Sequence, residues 1–255
     1  MQKILLWHEH HYHLGAKRLW RLMNLTCKNP PSRASVEKAI STCLRCSANK
    51  TLLPRTTVGK IPVPDMPGVY ISIDHFSPMG HVRDERGFTT ALTIKDRFSK
   101  VVMCIPCYSH SHQEVVEHLR LYTQLNGTPK IIKMDNFFSD SKEMESFLLN
   151  FGITAHFAPA YHPQSNGDVE IVHRQFRKII PLIMQRSKLK LTHWADACHI
   201  AANFVNFTPH TSHGEAPIFV HRGHISKSLF QMSKNNVNEK LYTKVKRALQ
   251  KKRDS

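Results

Sequence analysis

Three carboxylates in this chain fall where sequence patterns predict the ends of secondary-structure elements. Asp74 follows an alternating strand pattern, Asp135 ends the short apolar run 130–134, and Glu170 lies in the first turn of a predicted helix. A strand, a crossover helix and the next strand usually leave two parallel neighbours, so Asp74 and Asp135 are expected on adjacent strand ends. Carboxylates packed together repel each other, and hard oxygen ligands hold Mg²⁺. The three acids are therefore candidate metal-binding, catalytic residues, because two such ions activate one oxygen and stabilise the leaving one in an in-line displacement.

The helix that carries Glu170 is predicted to begin just after a loop that contains proline and glycine. Asp168 and Glu170 in its first turn suit the positive end of the helix dipole. Apolar residues recur at helical spacing and predict one buried face, formed by Val172, Phe176, Ile179, Ile180 and Ile183. Glu170 therefore points away from the core, on the side where the bases Arg174, Arg177 and Lys178 also lie.

Near the start of the chain, two histidines and two cysteines have the types and spacing of a zinc site. Cys43 and Cys46 form a Cys-x-x-Cys turn, whose thiolates can reach one ion, and His8 and His13 would complete a tetrahedral set. A segment of about 50 residues buries too little apolar surface to fold alone, so a metal would stabilise it. The segment is predicted to be helical between the two pairs.

The partner of His13 is ambiguous in sequence because the run His-Glu-His-His-Tyr-His also offers His10 and His11. We prefer His8 with His13, since His13 begins the following helical run. The alternative is that these are surface histidines near an unrelated cysteine pair.

The other cysteines are predicted to lie in the core rather than to bind metal. Cys104 and Cys107 also have Cys-x-x-Cys spacing, but they fall in a β-branched run that predicts a strand. Positions three apart on a strand face opposite ways, so these two thiols chelate one ion poorly. Cys27 and Cys198 are given the same interpretation.

The charge of the chain favours a polyanionic partner. Among 255 residues, Lys and Arg number 36 against 19 Asp and Glu, a formal net charge of +17. Such a balance is typical of nucleic-acid binding, although a merely basic surface has the same composition. No apolar run is long enough to predict a transmembrane span, and no signal peptide is indicated. The cysteines therefore indicate a reducing compartment and metal binding before disulfides.

Composition divides the chain into four parts. We predict a helical zinc-binding domain at 1–52, an extended proline-bearing linker at 53–67, an α/β domain at 68–225 and a basic tail at 226–255. The segment 234–253 has eight Lys or Arg and one acid, which fits a solvated helix or frayed tail and nucleic-acid contact equally well.

The α/β domain is predicted from the order of its elements. Three strands with hairpin-like spacing come first, followed by a helix, a strand, a helix, a strand and the Glu170 helix. Ser111-His112-Gln113-Glu114 is a capping box that opens the first of these helices. Phe147 and its neighbours at helical spacing give the second helix an apolar face, and Gly152 follows its end.

With these residues assembled, the chain resembles the integrases of retroviruses and gypsy-like LTR retrotransposons over residues 7 to about 225. Each motif alone is weak, but their shared order is highly specific. The motifs, as they stand here, are His8 and His13 with Tyr-His-Leu-Gly, Cys43-Leu-Arg-Cys46, Ser72-Ile-Asp74, Asp96-Arg-Phe-Ser-Lys100, Met134-Asp135-Asn136, His162-Pro-Gln-Ser-Asn-Gly-Asp-Val-Glu170, Asn203 with Asn206, Gly214-Glu-Ala-Pro217 and Arg222-Gly223.

The resemblance implies an RNase H-like catalytic core, with a mixed five-stranded sheet flanked by helices, behind a small helical zinc-binding domain. It implies a DDE-type polynucleotidyl transferase that trims the 3′ ends of element DNA and joins them to target DNA. Asp74, Asp135 and Glu170 match the ligands of two Mg²⁺ or Mn²⁺ ions, while one structural Zn²⁺ would be bound by His8, His13, Cys43 and Cys46. The expected partners are element and target DNA and further copies of the chain, in the nucleus and away from membranes. To these we add Arg174, Arg177 and Lys178 as predicted contacts of the DNA backbone.

Two positions depart from the family pattern. Phe137 follows Asn136 where a glycine is usual, and without that glycine the geometry of the turn beside the metal site is in question. Ile171 follows Glu170 where arginine is usual. These departures motivate the alternative of a catalytically inactive, element-derived DNA-binding protein. A further alternative is another RNase H-like nuclease without the joining step, against which the His/Cys module counts.

Overall fold

A computed structural model describes residues 2–48, 64–157 and 167–222. The chain divides into two compact units, which are treated separately below. The described part of the first unit comprises residues 2–48 and 211–214, and that of the second comprises 64–157, 167–210 and 215–222. The predicted tail at 226–255 and most of the predicted linker lie outside the described residues, so the predicted domain boundaries stay predictions.

The second unit is built on a mixed five-stranded sheet, as predicted. Its strands are β1 (Tyr70–Phe76), β2 (Thr90–Asp96), β3 (Val102–Cys107), β4 (Ile131–Met134) and β5 (Thr154–Phe157), in the spatial order β3-β2-β1-β4-β5. The hairpins β1–β2 and β2–β3 are antiparallel, whereas β1–β4 and β4–β5 are parallel. The parallel pairs follow the two crossover helices, α5 (His112–Asn126) and α6 (Lys142–Phe151).

One face of the sheet buries the apolar core against α5 and α6. Alternate strand residues supply it, and the helices contribute their apolar stripes. Fully buried members include Ile71, Ile73, Leu92, Leu119, Ile132, Met134 and Phe147. Ser111 caps α5 by accepting a hydrogen bond from Glu114 N, as the capping box predicts. The Glu114 carboxylate, however, reaches past Ser111 to the backbone N–H groups of Tyr108 and Ser109.

The remaining helices of this unit are α7 (Gly167–Arg186), α8 (Trp194–Phe207) and α9 (Pro217–Arg222). The predicted apolar face of α7 is buried throughout, at Val172, Phe176, Ile179, Ile180 and Ile183. Helix α8 is hydrogen-bonded to the edge strand β3 through the side chain of Asn206. Its Oδ1 accepts from Val102 N and its Nδ2 donates to Val102 O, at 2.8 Å each. These bonds occupy backbone groups that an edge strand would otherwise leave unpaired.

The first unit is helical, as predicted, with α1 (Gln2–His10), α2 (Ala16–Thr26), α3 (Arg33–Ser41) and α4 (Leu44–Ala48). Its buried apolar side chains are few, with Leu19, Val36 and Ala39 fully buried among them. None of the helices in the described ranges is long and apolar enough to cross a membrane.

Three predictions of detail need correction. Asp74 does not end its strand, because pairing between β1 and β2 continues to Phe76 opposite Ala91. Cys27 is not a core cysteine, since it caps the end of α2 and is only half-buried. His13 does not begin a helix but lies in the turn before α2, with a positive φ of 58°. Cys104, Cys107 and Cys198 are buried as predicted.

Candidate catalytic and metal-binding sites

The predicted quartet in the first unit comes together. The ligand atoms of His8, His13, Cys43 and Cys46 all lie within 4.8 Å of one another. His8 Nε2 is 3.1 Å from Cys46 Sγ and 3.2 Å from His13 Nδ1, which is 3.4 Å from Cys43 Sγ. In tetrahedral zinc sites with bonds of about 2.0–2.3 Å, neighbouring ligand atoms are roughly 3.3–3.8 Å apart. The four atoms thus have nearly the spacing that a Zn²⁺ ion requires.

The surroundings of the quartet prepare its histidines to bind metal. His8 is fully buried, and its Nδ1–H donates to Leu14 O at 3.0 Å, which leaves the Nε2 lone pair for an ion. Burial lowers the pKa of both His8 and His13, so both rings are neutral near pH 7. The rival His11 is turned away, because its Nδ1 contacts Trp7 O at 2.8 Å and its ring stacks on Trp7.

The three acids of the second unit lie on two strands of the sheet and on one helix: Asp74 in β1, Asp135 just after β4 and Glu170 in α7. In the parallel register, Ser72 of β1 lies opposite Lys133 of β4. Asp135 lies just beyond the end of β4, and continuing this register by two residues would bring Asp74 opposite Asp135. Asp135 follows β4 directly, as predicted, and Glu170 lies in the first turn of α7.

Contacts of α7 fix its first turns on the sheet face that carries Asp74. His173 is buried there, with Nε2 at 3.1 Å from Thr93 Oγ1 and Nδ1 at 3.9 Å from Asp74 Oδ2. Its ring stacks on Phe76. Burial lowers the pKa of His173 to about 4, so it faces Asp74 as a neutral ring. Glu170 precedes His173 by one helical turn and is therefore held close to the same strand.

A buried charge cluster, which the sequence patterns did not reveal, also anchors the start of α7. Lys95 Nζ donates to Asp168 O at 2.7 Å and lies 3.3 Å from Asp168 Oδ1, while Arg97 Nε is 3.5 Å from Oδ2. Burial opposes ionisation of Asp168, but the nearby cations outweigh it and lower its pKa. Asp168 therefore does more than complement the helix dipole. The alternation Lys95-Asp96-Arg97 at the end of β2 was the available signal.

The carboxylate oxygens of Asp74, Asp135 and Glu170 do not all lie within 4.8 Å of one another. Within the described residues, two groups of His, Cys, Asp or Glu have ligand atoms all within 4.8 Å, and Asp74, Asp135 and Glu170 do not form one of them. Asp135 Oδ1 instead accepts from Asn136 N at 2.7 Å and caps a short 3₁₀ turn. The predicted roles of these acids thus stay predictions, with the backbone arrangement in their favour.

The two departures from the family pattern are accommodated. Phe137 lies in the 3₁₀ turn Asn136–Phe138 and is absent from the described non-glycine residues with positive φ, so this turn does not need glycine. Its carbonyl oxygen is 3.0 Å from His112 Nε2. Ile171 is 57% exposed and leaves the apolar face of α7 intact. Neither residue disturbs the elements that present the acids.

The predicted DNA contacts lie on the outer face of α7. Arg174, Arg177 and Lys178 are all exposed, whereas Glu170 is half-buried. The segment 158–166, which contains most of the loop before Glu170, lies outside the described residues.

By contrast, the motif Asp96-Arg-Phe-Ser-Lys100 has a structural role. Asp96 accepts from Ser99 N and Ser99 Oγ, at 2.6 Å each, and from Gly68 N at 2.8 Å, which closes the β2–β3 turn.

Comparison with known proteins identifies the class of this architecture. The structure matches the HTLV-2 integrase catalytic core domain in complex with magnesium (TM-score 0.50, 17% identity, 62% of this chain and 98% of that one). It also matches the simian T-cell lymphotropic virus intasome in complex with PP2A regulatory subunit B56 gamma (TM-score 0.56, 16% identity, 88% and 79%). The chain is therefore integrase-like, with an integrase core sheet and an N-terminal helical segment that carries the HHCC cluster.

Sequence relatives agree with the structural likeness. The Tf2-3 and Tf2-4 transposon polyproteins of Schizosaccharomyces pombe are each 23% identical over 201 residues, or 74% of this chain. The chain spans only 14% of the length of those polyproteins. No protein-family model matches it.

Proposed function

We propose that this chain is the integrase of a retrotransposon, a metal-dependent polynucleotidyl transferase that processes 3′ ends of element DNA and joins them to target DNA. The observation that supports the proposal is the parallel β1–β4 register, which if continued by two residues would bring Asp74 opposite Asp135, together with the contact between His173 of α7 and Asp74. An integrase-like fold without acids at these positions would lack the ligands that hold catalytic metal ions.

The donor chemistry of the site fits magnesium or manganese. Asp74, Asp135 and Glu170 supply only carboxylate oxygens, and all three are at least partly exposed, so ions and phosphates can reach them. When bound, two such ions would activate the attacking oxygen and stabilise the leaving one. The chain's own contribution is to orient the acids, through the Asp135 cap, the His173 contacts and the Lys95–Asp168 pair.

The exposed bases of α7 would bind the DNA. Arg174 and Arg177 follow Glu170 by one and two helical turns, so their charges reach phosphates next to a bond held at the acids. Replacing Arg174, Arg177 and Lys178 together by alanine should weaken binding to every DNA sequence and reduce its salt dependence.

The partners are element ends and target DNA in the nucleus. Further copies of the chain would assemble on them, since one solved structure it resembles is described as trimeric and another as an intasome.

The test is joining of a labelled element-end duplex to plasmid DNA with Mg²⁺ or Mn²⁺, using the full chain in its multimeric form. Asp135→Asn should join DNA at least about 100-fold more slowly than wild type, because a metal ligand contributes several kcal/mol to transition-state stabilisation. Asp140→Asn is a matched control, since this exposed acid of the same loop accepts a hydrogen bond from Ser139 Oγ and is not one of the three candidate ligands. Equal joining by Asp135→Asn and wild type would reject the metal role.

A second function is a DNA-binding protein without catalysis. It is favoured by the separation of the three acids' oxygen atoms. Salt-sensitive DNA binding by a multimeric sample that neither trims nor joins ends would establish it. Trimming without joining would instead indicate an RNase H-like nuclease.

A further inference from the structure

The end of β3 and the first turns of α5 bring together a second group of metal-ligating side chains. Cys107 is the last residue of β3, and Glu114 and His118 lie one turn apart on α5. One ligand atom from each lies within 4.8 Å of the other two. This cluster is separate from the three acids in sequence, and it faces the buried side of the sheet, where Cys107 is fully buried.

One ring nitrogen of His118 has no hydrogen-bond partner among the described residues. This atom, Nε2, is buried, and its distance of 3.9 Å from Glu114 Oε1 is too long for a hydrogen bond. Because buried side-chain nitrogens are nearly always paired, the atom is expected to bind a further group. Burial also lowers the pKa of His118 despite the opposing effect of Glu114 and Glu117, so the ring is neutral near pH 7.

The carboxylate of Glu114 is held in a fixed orientation. Oε1 accepts from Tyr108 N at 2.7 Å, and Oε2 accepts from Ser109 N at 2.9 Å and Ser109 Oγ at 3.0 Å. A carboxylate has about four lone-pair sites, so coordination remains open. Hydrogen bonds of this kind commonly orient metal ligands. They also explain why Glu114 does not complete the capping box with Ser111 N.

A bound cation would change the protonation state of the Cys107 thiol. Burial, together with the charge of Glu114, raises its pKa to about 12. Without a cation it stays protonated and donates weakly to Ile105 O at 3.3 Å. A divalent cation bound between the Cys107 thiolate and the Glu114 carboxylate would offset the repulsion between these two anions. On binding, Cys107 would release its proton to solvent.

We propose that Cys107, Glu114 and His118 form a second zinc site that fastens the end of β3 to α5. Sulfur, nitrogen and oxygen donors together suit Zn²⁺, and three protein ligands leave one tetrahedral position for water. Cys104 does not belong to this cluster, in agreement with the prediction that Cys104 and Cys107 chelate one ion poorly. Cys104 lies against Cys198, and the partners of Cys107 come from the next helix.

The test is the zinc content of the purified full chain after dialysis against metal-free buffer. Wild type should hold two zinc ions per chain, Cys43→Ser/Cys46→Ser one, Cys107→Ser one, and the triple variant none. Cys104→Ser is the matched control, because this buried thiol of the same strand lies outside both clusters, and it should hold two.

A second measurement keeps the proposal testable if Cys107→Ser does not fold. His118→Gln, at a side chain 22% exposed, should also lose one zinc. In cobalt-substituted Cys43→Ser/Cys46→Ser, thiolate-to-metal charge transfer should remain and should vanish when Cys107 is also replaced. Wild type with one zinc, or unchanged zinc in both Cys107→Ser and His118→Gln, would overturn the proposal and leave water as the partner of His118 Nε2.

Discussion

The two units of this chain use different means to hold functional groups in place. In the helical unit, residues 2–48, buried apolar side chains are few and the four candidate zinc ligands lie close together. In the sheet unit, a large apolar core holds the strands and helices, and the three acids remain partly exposed. The difference indicates that the helical unit would depend on a bound metal for its stability, whereas the core of the sheet unit does not depend on the three acids.

The largest expected effect is loss of the helical unit without zinc. Cys43→Ser should unfold residues 2–48, since structural zinc binding contributes about 10–16 kcal/mol in zinc-finger peptides. Hydrogen exchange should then rise across α1–α4 and stay unchanged in β1–β5. Cys27→Ser, at a half-buried thiol outside the quartet, should leave both units intact. Protection of α1–α4 in the zinc-free protein would break the comparison.

A core substitution in the sheet unit should destabilise that unit and leave the helical unit unchanged. Phe147 is fully buried, so Phe147→Ala should destabilise this unit by about 3–5 kcal/mol and leave the zinc content of the helical unit unchanged. Leu149→Ala is the control on the same helix, because Leu149 is 74% exposed and its truncation should cost less than about 0.5 kcal/mol. Denaturant unfolding followed by tryptophan fluorescence measures both.

A smaller effect is expected from a buried acid that holds structure rather than metal. The side chain of Asp84 is fully buried and accepts from Arg86 N, Arg86 Nε and Ala195 N. Asp84→Asn should therefore cost about 1.5–3 kcal/mol. Asp196→Asn is the control, because this acid binds the same arginine at the surface and should cost less than about 1 kcal/mol. Similar losses in both variants would contradict the assignment.

The pH dependence of this effect has a defined sign. Burial opposes ionisation of Asp84, but hydrogen bonds and the charge of Arg86 outweigh it and lower its pKa. The stability it contributes is therefore complete above the unfolded pKa of about 3.9 and is lost as the pH falls through the folded value. Asp84→Asn should flatten this acid limb of the unfolding profile.

Much of this arrangement was accessible from sequence because local patterns determine it. Helical spacing identified the buried face of α7, and Cys43-x-x-Cys46 with two histidines identified the quartet. The parallel neighbours β1 and β4 followed from a general rule of connection.

What the sequence did not predict depends on tertiary packing. The partners of Cys107 lie on another element, and the Lys95–Asp168 pair joins residues far apart in the chain. Cys27 was assigned to the core from its residue type, although the end of α2 leaves it half-exposed.

The most direct test of the central claim is anomalous diffraction from crystals of the full chain soaked in Mn²⁺. We expect a manganese peak between the carboxylates of Asp74 and Asp135, with Glu170 turned towards it, and no such peak in Asp135→Asn. Protein that joins DNA with Mn²⁺ but binds no manganese at these carboxylates would contradict it.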